Sequence, residues 1–219
     1  STLPAAVKPN RLVVLETEGW VEVDDATKAA FDGVLKQLRD AGVELIFRKD
    51  HPWVEALEKS IANGRAICGG VTGWENRWGQ RGIVDNNPTG VSERTKAALA
   101  RAEAMTLDDY RMALLARENA QRLHATMAPL ADAAITLACP GPAPLWSGDV
   151  PGQPLAPRPT GDFVFNAPSS MLFAPVVTVP LMSVGGMPVG LQLMGQKHED
   201  ARMTGLARWF EETLQRVSA

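Results

Sequence analysis

Two short β-branched runs, Arg11–Leu15 (RLVVL) and Val43–Phe47 (VELIF), bracket one amphipathic segment. Together they constrain the fold more than any other feature of the chain. Asp24 or Asp25 offers an N-cap, and Ala30, Phe31, Val34, Leu35 and Leu38 recur at helical spacing as one apolar stripe. Gly42 closes the helix as a left-handed C′ residue. Strand, helix and strand in so short a span make a βαβ unit. Its default topology is a parallel pair joined by a right-handed crossover, which makes α/β the expected class.

The remaining elements follow by the same reading. His51–Asn63 predicts a helix opened by Pro52 and stopped by Gly64. Gly69–Gly90 is rich in glycine, carries Trp74, Trp78 and an Asp85-Asn86-Asn87 turn signal, and has no period. It is expected to be a long loop, and a loop of that length is usually functional or mobile. Ser92–Met105 and Thr106–Ala128 predict two helices, the second opened by a Thr106/Asp109 capping box. Tyr110, Ala113, Leu114, Arg117, Gln121 and His124 share one face of that second helix. Asp132–Ala138 predicts a strand. Eleven of the 16 prolines fall between Pro140 and Pro188, so about 139–160 is expected to be a Pro-rich loop. Phe163–Phe165, Val176–Val179 and Val189–Met194 are strand candidates, and Glu199–Val217 predicts an amphipathic helix.

Composition narrows the class of function. With 22 Lys plus Arg against 25 Asp plus Glu, the 219 residues carry a net charge of −3. That balance argues against nucleic-acid binding through bulk positive charge, and no direct nucleic-acid signal is present. No window approaches the roughly 18 consecutive apolar residues of a membrane span, and Ser1–Asn10 lacks the apolar core of a signal peptide. Cys68 and Cys139 are too few and too far apart for a disulfide framework, and the three histidines are scattered. A reducing, cytoplasmic setting with no metal and no cofactor is expected.

Catalytic constellations are scarce. The chain holds no G-x-S-x-G elbow, no phosphate-binding loop and no G-x-G-x-x-G after the first strand. Ser169 and Ser170 have no flanking glycines and no nearby lysine or histidine. Ser92 and Lys96 sit on a solvated helix, where capping explains them. Arg117 reads either as an ion-paired surface residue or as an anion clamp, since a guanidinium fork matches a carboxylate in a bidentate way.

The last third is more specific. Asn166-Ala167-Pro168-Ser169-Ser170-Met171-Leu172-Phe173-Ala174-Pro175, then Gly186–Gly195 (GMPVGLQLMG), then Glu199-Asp200 before a helix, resembles the closing segment of amidase-signature enzymes. The family shows T-x-P-x-N-x-x-G-x-P-A, G-L-P-V-G-L-Q-L-V-G and E-D at those places. Pro188–Gln196 is the closest match. Asp132–Pro144 is similar to the family's D-V-L-L-T-P-T-T-P-x-P-A-P, and Thr106–Arg117 to its S-x-x-D-Y-x-x-A-x-x-x-R helix. The opening βαβ unit looks like the strands and helix that follow the family's signature region.

The resemblance implies a mixed β-sheet flanked by helices, with residues 1–219 forming the C-terminal portion of an amidase-signature domain that lacks the N-terminal signature region. It implies amide hydrolysis by acyl transfer through a serine, a cis-linked serine and a lysine, all outside this segment, so the segment alone is expected to be inactive. Substrate-binding candidates are Arg117, Asp162, Asn166, Ser170 and Phe173. Arg117 falls in register with the arginine that holds the substrate's amino-acid end in the tRNA-amidating branch. Asp162 lies one residue before the matching acidic position, which is Phe163 here. The family's Asn is Ser170 and its Gly is Phe173, so this wall of the pocket should be reshaped. Trp74, Trp78 and Trp146 are weaker pocket candidates. Expected partners are a small amide substrate, the missing N-terminal half and, as a homodimer, a second copy, with no membrane. The competing reading is a non-catalytic α/β binding or assembly module derived from an amidase.

Overall fold

The computed structural model describes residues 4–146, 148–150 and 161–219. The βαβ unit forms as its pattern dictates. Strand β1 (Arg11–Val14) pairs in parallel with β2 (Glu44–Ile46), and α1 (Asp25–Asp40) connects them. The Asp24 carboxylate caps α1 by accepting from the Thr27 N–H at 2.7 Å, and its bonds to Thr27 hold its pKa below the usual carboxylate range.

The chain then passes through α2 (Pro52–Ile61), α3 (Gly64–Asn86), α4 (Glu93–Ala104) and α5 (Leu107–Ala125) before β3 (Ala133–Leu137). Helix α6 (Asn166–Leu172), β4 (Val176–Val184), β5 (Met187–Met194), α7 (Asp200–Thr213) and β6 (Val217–Ser218) complete it. The sheet order is β2-β1-β3-β5-β4-β6. β3 joins β1 in parallel, β5 is antiparallel to both β3 and β4, and β6 is parallel to β4, so the sheet is mixed.

Side-chain alternation along the strands separates two cores. Leu12, Val14, Ile135, Leu191 and Leu193 face α1 and α7, against Phe31, Val34, Leu38, Leu206 and Phe210. Val13, Leu15, Ala134 and Met194 face the other way, against Leu57 and Ile61 of α2, Ala120 of α5 and Met171 of α6. This gives three layers, with helices on both faces of the sheet.

Four sequence expectations are corrected. Gly69–Gly90 is not a loop, because α3 runs through to Asn86. Its glycines permit close helix packing: a Cβ at Gly73 would lie 3.3 Å from the Ala102 Cβ, and one at Gly70 3.3 Å from the Met105 methyl. Packing against α4 and α5 thus overrides poor local propensity. Phe163–Phe165 is not a strand but a turn into α6, with Val164 and Phe165 both fully buried. Asn166–Pro175 is mostly the helix α6 rather than a turn. The last helix ends at Thr213, and Val217–Ser218 turns back to pair with β4. The Pro-rich loop is irregular over residues 139–146, and 151–160 lie outside the described residues.

Candidate functional site

Loops leaving the C-terminal ends of parallel strands are where open α/β sheets place ligands. Here α6 is pinned across the end of β3. The Gln192 amide donates to the carbonyls of Leu137 at 3.0 Å and Phe165 at 2.8 Å, and Asn166 Nδ2 donates to the Ala138 carbonyl at 3.1 Å. One face of α6 is buried through Ala167, Ser169, Met171 and Leu172. Its other face presents Asn166 and Ser170, one helical turn apart, and ends at Phe173, with all three exposed. Three of the five sequence candidates therefore share one helical surface.

Phe173 is the C-cap of α6 in the left-handed conformation, with φ 53° and ψ 33°. Glycine is favoured in that conformation because it has no Cβ, so the position where the family carries Gly is left-handed here with a ring attached. The ring is 53% exposed, and the Arg117 guanidinium carbon lies 5.0 Å from its centroid. That geometry is a cation–π contact. Arg117 projects from the middle of α5, half-buried, on the face that helical spacing assigns to it. No carboxylate lies within ion-pair distance of it among the described residues. One turn on, Gln121 Nε2 donates to the Met171 carbonyl at 2.9 Å and fixes α5 against α6.

Cys68, on α3, closes the third side, donating its thiol to the Ala167 carbonyl at 3.3 Å. Burial pushes the Cys68 thiol pKa up, while the Arg117 charge pulls it down. Sequence reasoning missed this neighbour, because its surroundings form only once α3 packs against α6.

Asp162 is placed differently. Its Oδ1 accepts from the Val164 N–H at 2.8 Å and pairs with Arg65 at 3.3 Å. Arg65, near the start of α3, also pairs with Glu22 at 2.5 Å, and its backbone N–H donates to Glu18 at 2.8 Å. Asp162 thus belongs to a three-carboxylate cluster around one guanidinium, not to the Arg117 surface. Sequence reasoning missed Arg65, because its partners are brought together only by folding.

Trp74 and Trp78 lie on α3 rather than on a loop. Trp74 stacks on Tyr110 with centroids 5.5 Å apart, and the Arg77 guanidinium lies 3.6 Å above it. Trp146 is half-exposed on the irregular segment after β3. Ser169 donates to the Asn166 carbonyl at 2.9 Å, and Ser92 caps α4 by accepting from the Thr95 N–H, so both hydroxyls serve the backbone. Among the described residues no group of three His, Cys, Asp or Glu side chains could hold a metal ion. Among them, too, no helix is long and apolar enough to cross a membrane.

This geometry meets known proteins at several points. A subunit of the rat (Rattus norvegicus) mitochondrial glutamyl-tRNA(Gln) amidotransferase is 37% identical over 59 residues, 26% of this chain and 11% of that protein. A crystal structure described as an amidase superposes with TM-score 0.79 at 22% identity, covering 97% of this chain and 47% of that one. The corresponding subunit of the Thermotoga maritima glutamyl-tRNA(Gln) amidotransferase superposes with TM-score 0.58 at 17% identity, covering 96% of this chain and 43% of that one. The chain thus spans less than half the length of these solved structures. The amidase family model matches residues 2–203, nearly the whole chain, and on that match the chain belongs to the amidase family.

Proposed function

We propose that these residues form the substrate-facing wall and part of the sheet of an enzyme that hydrolyses carbon–nitrogen amide bonds. The serine nucleophile, the cis-linked serine and the lysine lie in the remainder of the catalytic unit, whether that is the same polypeptide or another. The serine attacks the amide carbonyl, the amine departs with a proton relayed from the lysine pair, and water then releases the acid from the acyl-enzyme. Residues 1–219 are the C-terminal portion of that unit. The setting is cytoplasmic, in which Cys68 and Cys139 stay reduced.

The observation that carries this reading is the pairing of Arg117 with Phe173 beside Asn166 and Ser170. A guanidinium with no carboxylate partner among the described residues, held against a half-exposed ring, suits an anionic or strongly polar substrate end. Arg117 binds that end, the Phe173 ring sets the width of the wall, and Asn166 and Ser170 offer hydrogen bonds along it. Asp162 acts less directly, holding the turn into α6 through the Val164 N–H.

Kinetics of the assembled enzyme test this. Arg117→Met should lower kcat/KM for a carboxylate-bearing amide by about 10- to 100-fold, consistent with loss of a charged hydrogen bond. It should change kcat/KM for an uncharged amide by less than about threefold. An equal loss on both substrates would assign Arg117 a structural role. An assembly that hydrolyses no amide would favour the binding-module reading.

A further inference from the structure

The sheet ends in an incomplete edge. Strand β4 pairs with β5 on one side along most of its length. On its other side β6 meets only Met182 and Ser183. The alternation of an antiparallel ladder tells which groups of β4 remain. The Gly195 N–H donates to the Pro175 carbonyl at 3.0 Å, so Pro175, Val177 and Val179 direct their backbone groups at β5. Val176, Thr178 and Pro180 direct theirs outward. The outward Pro180 carbonyl accordingly accepts from Arg216 Nε at 3.2 Å. The N–H and C=O groups of Val176 and Thr178 have no strand partner among the described residues.

The same stretch is bare on one face. Val179 packs into the core beneath α1 and α7. The opposite face shows Val176, Thr178 and Pro180, all exposed. The core beneath α2, α5 and α6 takes side chains from β1, β2, β3 and β5 and none from β4. That helical layer therefore stops one strand short of the sheet edge. Between β4 and α7 lies a groove of about 490 Å³, walled by Val177, Val179, Pro180, Ala207, Arg208 and Glu211. Arg208 is engaged by Glu212 at 2.6 Å, while Glu211 has no ion pair among the described residues.

We propose that the Val176–Thr178 edge of β4 receives an extended strand from the portion of the amidase unit outside these 219 residues, with a basic side chain facing Glu211. Three observations select that occupant. The edge is a short gap beside β6 that fits one strand. The uncovered face beside it requires a neighbouring layer and not an isolated peptide. The amidase that superposes on 97% of this chain has more than as much chain again. The inference rests on the proposed function in taking the catalytic unit to extend beyond this segment. Strand addition joins two parts of one sheet through backbone bonds and needs little sequence specificity.

The test is amide hydrogen exchange at Val176 and Thr178. It compares the isolated 219-residue chain with the native assembly purified from its own cells through a tag on this chain. In the isolated chain both amides should exchange freely. In the assembly both should slow at least 100-fold. Thr178→Pro deletes only the outward N–H and should weaken assembly at least tenfold, whereas Thr178→Val, which keeps it, should not. Free exchange of both amides in the assembly, or a chain isolated from its cells alone, would overturn the proposal. So would protection that arises in the isolated chain through self-association. An active assembly with freely exchanging amides would sink this inference alone. A protected but inactive assembly would sink the functional reading alone.

Discussion

The Arg117 guanidinium sits 5.0 Å from the centre of the Phe173 ring, and Phe173 reaches it only by taking a left-handed backbone at the end of α6. Contact and strain are therefore coupled at one residue. Phe173→Ala keeps the backbone penalty and loses the ring, whereas Phe173→Gly loses the ring and relieves the penalty. The glycine variant should be more stable than the alanine variant by about 1 kcal/mol, read from urea unfolding. Equal stabilities would mean that the left-handed turn stores no strain.

His124 supplies a pH signature. Burial lowers its pKa from 6.5 to about 4, partly opposed by the charge of Glu199. Its surroundings are Val13, Met127, Asp132, Met194 and Gln196 around a water-sized void. The unfolded chain binds the proton more readily than the folded one. The associated stability is therefore complete above about pH 6.5 and is lost as pH falls toward 4, by up to about 3 kcal/mol. His124→Gln should flatten the unfolding free energy across that window. An unchanged pH slope would show that His124 titrates normally in the folded state.

Gln192 is fully buried and donates to two carbonyls that close the end of β3 and the start of α6. Gln192→Leu leaves both carbonyls without this donor in a dry interior. It should destabilise the fold by about 2–4 kcal/mol and speed amide exchange in α6 more than in α1. A loss below about 1 kcal/mol would indicate that the buried Gln192 Oε1, which has no partner, offsets the gain from Nε2.

Much of the scaffold is legible in the sequence because it obeys local rules. Leu12 and Val14 alternate with Val13 and Leu15 to feed two cores, and the Thr106/Asp109 box opens α5 where its spacing predicts. Helix α3 is not legible. Its glycines argue against a helix until Gly73 is seen against Ala102, a contact that exists only after folding. The site divides in the same way. Arg117 and the Phe173 position stand in recognisable motifs, but the Arg65 cluster with Glu18, Glu22 and Asp162 joins four residues distant in sequence. Motif register groups Asp162 with Arg117, yet the cation that pairs with it is Arg65.

The most direct test of the central claim is to treat the active native assembly with a serine-directed fluorophosphonate and locate the adduct by peptide mass spectrometry. The account predicts loss of amidase activity with one modified serine, lying outside residues 1–219. Inactivation with the adduct on a serine of this segment, such as Ser170, would contradict it.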